Sequence, residues 1–150
     1  FLGIAEANTF TERELEQKIV DNLQKFLLEL GKGFALIGRQ FRITLGNRHY
    51  YVDLVFYHRI LKCFVLIDLK AREVNHADIG QMNMYLNYFK HEEMVKGDNE
   101  PLGIILTKEK DKIMVAYALG GISNKVFVSR YKLYLPTKEE LEKEIGRLLE

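Results

Sequence analysis

Three charged side chains fall inside stretches that otherwise read as apolar strands. Asp53 lies in "YYVDLVFYH", and Asp68 and Lys70 lie in "CFVLIDLK". A charge in a strand interior is costly to bury unless it is paired or bound to an ion. Side chains two apart in a strand share a face, so Asp68 and Lys70 point the same way at the C-terminal end of their strand. Asp53 shares its face with Val55 and Tyr57, and pairing of the two strands as a hairpin brings it into reach of Asp68. Two carboxylates held together require a counterion, and a hard divalent cation, Mg²⁺ or Mn²⁺, suits their oxygens. Lys70 beside the ion would orient or deprotonate a water for attack on phosphorus, while the metal stabilises charge on the phosphate oxygens. A plain salt bridge from Lys70 to Asp68 or Asp53, closing a strand end, accounts for the same spacing and is the simpler account of it.

Two more residues belong with these candidates. Glu16 sits on the helical row of Val20, Leu23, Leu27 and Leu30, so it is the acid of the first helix aimed along the core-facing side. It would complete a metal shell, or else serve as an acid near a helix N-terminus. Gln81 lies on a row with Met84, Tyr85 and Tyr88 in the helix after Lys70. It would hydrogen-bond a phosphate or the attacking water, or else belong to a solvated polar face. The four histidines have no metal-ligand spacing. Tyr50, Tyr51 and Tyr57 are candidates for base stacking, although strand tyrosines more often pack.

The elements that must position these residues are legible in the pattern. "TFTERELEQKIVDNLQKFLLELGKGF" predicts a helix, with Thr11 as N-cap, Glu14 completing a capping box, a Phe10–Leu15 staple, and Gly31 or Gly33 as the stop. Phe41, Ile43 and Leu45 alternate with polar residues, and Gly46-Asn47 suits a tight hairpin turn. A second strand runs from about His49 to His58. "CFVLI" is a continuous apolar run, as in a central strand covered on both faces. "NHADIGQMNMYLNYFKHEEM" predicts a helix capped by Asn75 with Asp78 at N3 and a Val74–Ile79 staple. "LGIILT" is a short buried strand. Residues 108–121 suit helix or strand, "KVFVSRYKLYLP" contains a strand, and "TKEELEKEIGRLLE" is a final helix capped by Thr137. This order predicts one α/β domain over residues 1–150, its mixed sheet antiparallel at the start and parallel through a β-α-β crossover.

Composition bounds the rest. Apolar residues make up 47% and charged residues 29% of 150, a globular composition with room for a core. No apolar run is long enough to span a membrane, and no signal peptide is evident at Phe1. The single cysteine, Cys63, excludes an internal disulfide framework or a cysteine zinc site and fits a cytoplasmic location. Net charge is +1, but residues 38–62 carry five basic residues and one acid, whereas residues 137–150 carry five acids and three bases. A basic hairpin beside an acidic tail is a sign of a polyanion-facing side, with Arg39, Arg42 and Arg48 as candidate nucleic-acid contacts, although ordinary solvated surface is the simpler account of each single arginine.

Taken together, a helix Glu, then "VDL", then "IDLK", then a helix bearing Gln resembles the PD-(D/E)xK nuclease superfamily. "FLLELGKGFALIGRQFRI", "YYVDLVFYHRILKCFVLIDLK", "GQMNMYLNYF" and "LGIILT" resemble, in order, the signature segments of the C-terminal nuclease domain of bacterial YhcG-like proteins. The resemblance spans roughly Glu12 to Pro136. It implies a restriction-endonuclease-like core (α-β-β-β-α-β) and Mg²⁺- or Mn²⁺-dependent endonucleolytic hydrolysis of DNA. Carried over, the metal ligands fall on Asp53, Asp68 and Glu16, the lysine on Lys70, and the polar residue of the following helix on Gln81. It also implies an N-terminal domain of the same protein as a partner, in line with a chain that begins at Phe; a second copy of the chain is a further candidate partner. Two departures stand out. Asp68 replaces the family's usual Glu, which is one methylene longer, and Val52 replaces the proline of the motif. The rival expectation is a nucleic-acid-binding or protein-interaction module on a nuclease fold, with little or no cleavage.

Overall fold

A two-residue turn and a four-residue turn set the register of the first three strands. In a computed structural model of the protein, the residues described are 17, 20–25, 27–28, 31–70, 72, 74–109, 112–119 and 135–148. The strands are β1 (Phe34–Leu45), β2 (Arg48–His58), β3 (Cys63–Lys70), β4 (Leu102–Glu109) and β5 (Lys112–Leu119). Helix α1 (His76–Tyr88) continues into a π-helical turn, Phe89–Glu93, and helix α2 is Lys138–Leu148. Helical residues are also present at 17, 20–25, 27 and 28.

The five strands lie in chain order in one sheet. β1 with β2 and β2 with β3 are antiparallel, β3 with β4 is parallel across α1, and β4 with β5 is antiparallel. The mixed α/β sheet expected from the element order is therefore present. Of residues 108–121, which suited either state, 108–109 extend β4 and 112–119 form β5. Pairing along β4, from Leu102 opposite Leu119 to Glu109 opposite Lys112, decides that choice. The expected strand in "KVFVSRYKLYLP" lies largely outside the described residues, as do the Thr11 cap, Glu14, and the Phe10–Leu15 staple.

Turn chemistry follows the sequence. Gly46 has φ +61° and Asn47 is not left-handed, which is the glycine-first hairpin turn; Leu45 pairs with Arg48 across it. Gly33, at φ +92°, makes the bend into β1, and its carbonyl accepts from the Arg59 N–H at 2.8 Å. Asn75 caps α1 in a complete capping box with Asp78. Thr137 Oγ1 accepts from the Glu140 N–H at 3.1 Å and caps α2.

The core has two layers. On one face, Val20, Leu23 and Leu27 of the N-terminal helical residues and Leu141 and Ile145 of α2 pack on Leu54, Phe56, Val65, Ile67, Leu69 and Ile104. On the other, Met82, Tyr85, Leu86 and Phe89 pack on Ile43, Val52, Val55, Leu66 and Ile105. β3 contributes to both layers, as its continuous apolar run requires. Cys63 is buried among the apolar residues of the first layer. His58 is buried in the strand, edge-on to Phe34, with Nδ1 accepting from the Leu61 N–H at 3.2 Å.

Alternation along β2 breaks at one place. Leu54 and Phe56 face the first layer, yet Val52 and Val55 both face α1. Asp53 sits at the break. Across the hairpin, β1 carries a bulge between Leu36 and Gly38 and a left-handed residue, Gln40, at φ +47°.

Candidate active site

The β2–β3 ladder runs from His58 opposite Cys63 to Leu54 opposite Ile67 and stops there. The next residues outward are Asp53 and Asp68. Their carboxylates take over main-chain donors at the opening. The Leu69 N–H donates to Asp53 Oδ2 at 2.7 Å, and the Asp53 N–H donates to Asp68 Oδ1 at 3.3 Å. The Gln40 carboxamide donates to Asp53 Oδ1 at 2.8 Å. Both aspartates are buried, at 8% and 5% exposure. That burial explains why they need so many donors.

Their electrostatics follow from the placement. Burial, and then the negative charge of Asp53, push the Asp68 carboxyl up to about 7. Burial raises Asp53 as well, while the Leu69 N–H, the Gln40 amide and the Lys70 charge pull it back down. Lys70 follows Asp68 by two residues, on the same half-buried strand end, and its charge favours the ionised form of both aspartates. It forms no salt bridge with either of them. The strand-closing ion pair that the spacing allowed is therefore not made, and among the described residues no carboxylate holds the ammonium in a salt bridge.

Around this centre the polypeptide is pinned. Arg72 forks onto Asp78 with two bonds of 2.7 Å, and its carbonyl accepts from the buried Thr107 hydroxyl. The Arg72 fork, ahead of the capping-box N–H of Asn75, holds the Asp78 carboxyl below the usual carboxylate range. These contacts tie Arg72 to α1 and to β4. Tyr85 of α1 is buried 6.3 Å, ring to ring, from Tyr50. Burial, and then the charges of Asp68 and Asp53, raise its phenol well above normal, so its hydroxyl lies within electrostatic reach of both carboxylates.

Of the residues singled out by sequence, Asp53, Asp68 and Lys70 come together. Gln81 is half-buried on α1 and makes no hydrogen bond to them. Glu16 lies outside the described residues. Arg42 and Arg48 are exposed on the β1–β2 hairpin. Arg39 is bonded to Asp21 of the N-terminal helical residues. Tyr51 is exposed, Tyr50 packs toward Tyr85, and Tyr57 donates to Asp98 at 2.6 Å. Gln40 and Tyr85 were not singled out from sequence. Counting outward from the Gly46-Asn47 turn places Gln40 opposite Asp53, and Tyr85 is one helical turn beyond Gln81, so both signals were present.

Among the described residues no group of three His, Cys, Asp or Glu converges. Two carboxylates do, and they fit a hard divalent cation. Asp68 Oδ2 accepts no hydrogen bond among the described residues. Among the described residues each Asp53 oxygen accepts one bond, which leaves it a lone pair. A cation between them would remove the repulsion that raises Asp68.

Residues 1–146 match the family model of the YhcG PDDEXK nuclease domain. The chain belongs to that family. It is 41% identical over 138 residues to "Putative nuclease YhcG" of Escherichia coli (strain K12), covering 92% of this chain and 37% of that protein. The chain thus spans little more than a third of the length of this YhcG relative. Among solved structures it is similar to one titled "Crystal structure of SSO0001", with TM-score 0.42 and 16% identity over 87% of this chain and 62% of that one. No helix among the described residues is long and apolar enough to cross a membrane.

Proposed function

We propose that this YhcG-family nuclease domain hydrolyses DNA phosphodiester bonds with a divalent cation, Mg²⁺ or Mn²⁺. The observation that carries the reading is the opposition of two buried carboxylates, Asp53 and Asp68, where the β2–β3 ladder opens, with Lys70 two residues beyond on the same face.

Asp53 and Asp68 would hold the ion, joined by Glu16 from the first helix. When bound, it would polarise the scissile phosphate and stabilise the charge that develops there. The protein's own residues do the rest. Lys70 Nζ donates a hydrogen bond to the oxygen of the attacking water and orients it, its positive charge favouring the hydroxide that forms as the water's proton passes to solvent. The Arg72–Asp78 fork keeps Lys70 and α1 in register. Gln81, half-buried on α1, contacts a phosphate oxygen. Arg42 and Arg48 neutralise backbone phosphates from the hairpin, and Arg39 serves chiefly to hold the helix through Asp21. In a longer protein, segments outside this chain would share substrate recognition, and the lone buried thiol of Cys63 suits a reducing cytoplasm.

The test is incubation of the chain with duplex, branched and single-stranded DNA and with RNA, each with Mg²⁺ or Mn²⁺ and with EDTA. Cleavage of DNA with metal, and none with EDTA or in Asp53→Asn, is the expected result. Binding without cleavage on every substrate would replace it with a nucleic-acid-binding module.

A further inference from the structure

Gln40 does none of the chemistry assigned above, yet it occupies an unusual place. It lies in the middle of β1, directly across the hairpin from Asp53. Its φ is +47°. Among the described non-glycine residues only Lys62 shares a positive φ, and Lys62 belongs to the turn between β2 and β3. A left-handed backbone suits Gly, and after it Asn, Asp or His, far better than Gln. No turn demands it at Gln40. Such a conformation persists only where its surroundings over-determine it.

The side chain shows what is obtained in return. Its Nε2 donates to Asp53 Oδ1 at 2.8 Å, while the Leu69 N–H donates to Oδ2 at 2.7 Å. An ionised carboxylate only accepts, so the amide nitrogen is the atom facing it. Among the described residues each oxygen takes one donor, and the two together clamp the carboxylate against rotation. The break in alternation at Asp53 and the left-handed residue at Gln40 fall at the same level of the hairpin.

We infer that Gln40 is a positioning residue, whose left-handed backbone aims its carboxamide at Asp53 Oδ1 and locks that carboxylate in the orientation that receives a divalent cation. The inference rests on the proposal that Asp53 is a metal ligand. Sequence spacing alone assigns Gln40 no role, because strict alternation makes it one more polar residue of an edge strand.

Two variants separate positioning from ordinary structural support. Gln40→Gly relieves the backbone strain and removes the amide. Gln40→Asn keeps an amide and tolerates the left-handed conformation but is one methylene short of Asp53. Both should melt at or above the wild-type temperature. Both should bind Mn²⁺ about 10–100-fold more weakly by calorimetry, the loss usual for a group that orients a ligand. In crystals grown without metal, Asp53 should hold one rotamer in wild type and shift or split in both variants. A merely structural role predicts the reverse, a lower melting temperature with unchanged Mn²⁺ affinity. Mn²⁺ affinity within about twofold of wild type, together with an unmoved Asp53, overturns the inference. If wild type itself binds no Mn²⁺, the metal reading fails. The metal-free rotamer of Asp53 then decides the positioning role alone, a shift upholding it and an unmoved carboxylate ending it.

Discussion

Asp53 and Asp68 hold each other through the main chain. The N–H of Asp53 reaches the Asp68 carboxylate at 3.3 Å, and the N–H of Leu69, next to Asp68, reaches the Asp53 carboxylate at 2.7 Å. The exchange occurs one step beyond the last paired residues of β2 and β3, Leu54 and Ile67. Side-chain oxygens thus replace ladder carbonyls as acceptors. The strands open without stranding a buried N–H, and two acids meet in the gap.

That pair makes stability depend on pH. Asp68 titrates at about 7 in the fold against 3.8 for the free group, so the folded state binds the extra proton between those values. Metal-free stability should therefore fall as pH rises from about 4 to about 7, and level off above it. Asp78 works in the opposite sense: its folded value is depressed, so its contribution is present above 3.8 and is lost as pH falls through the folded value. Asp68→Asn should remove most of the decline above pH 4, leaving what the raised Asp53 contributes. Chemical denaturation at a series of pH values in EDTA measures it, and an undiminished decline in Asp68→Asn would assign it to another group.

Divalent cations should reverse the destabilisation. Mn²⁺ binding only the native state stabilises by mass action, about 2.7 kcal/mol at a hundredfold excess over Kd. At pH 7.5 the melting temperature should rise with Mn²⁺ or Mg²⁺, and Asp53→Asn should lose most of the rise. An equal rise in Asp53→Asn would mean that the ion binds elsewhere.

Lys70→Ala should lower kcat by about 10²–10³, the range for a lost charge-stabilising donor, with little change in DNA affinity measured in Ca²⁺. The ammonium makes no salt bridge to the aspartates, but its charge favours their ionised forms, so its loss should also lower the melting temperature at neutral pH and above. A fall in affinity matching the fall in rate would show that Lys70 binds DNA rather than acts on water.

The hairpin arginines should divide by their partners. Replacing Arg42 and Arg48 with Ala should weaken DNA binding. It should also flatten the salt dependence by about one unit of log–log slope for each phosphate no longer neutralised. Arg39→Ala should instead act on stability, by at most about 1 kcal/mol for so exposed a pair with Asp21. Titrations at several salt concentrations, beside denaturation curves, distinguish them. An Arg39→Ala variant with the larger loss of salt slope would reverse the assignment.

Arg72→Ala should cost about 1–2 kcal/mol, because a buried Asp78 loses its bidentate partner while keeping its capping-box bonds. Activity should fall further than stability alone accounts for, since the link from Lys70 to α1 loosens. Activity per folded molecule, measured well below the melting temperature, checks this.

Much of the frame was set within a few residues along the chain. Gly46-Asn47 made the first hairpin, Asn75 and Asp78 capped α1, and the apolar run of β3 required cover on both faces. Such features depend on local backbone preference and short-range hydrogen bonds, so they can be read directly. The two turns also fix where Asp53, Asp68 and Gln40 fall opposite one another. What only the tertiary structure decided involved partners far apart in sequence. β4 drew residues 112–119 into the sheet, although "KIMVAYAL" suits a helix equally by pattern. Asp21 took up Arg39, α1 placed Tyr85 near the aspartates, and Gln40 adopted a backbone its residue type disfavours. None of these follows from periodicity, because each depends on which distant group is close enough to offset the cost of burying a charge or straining a backbone.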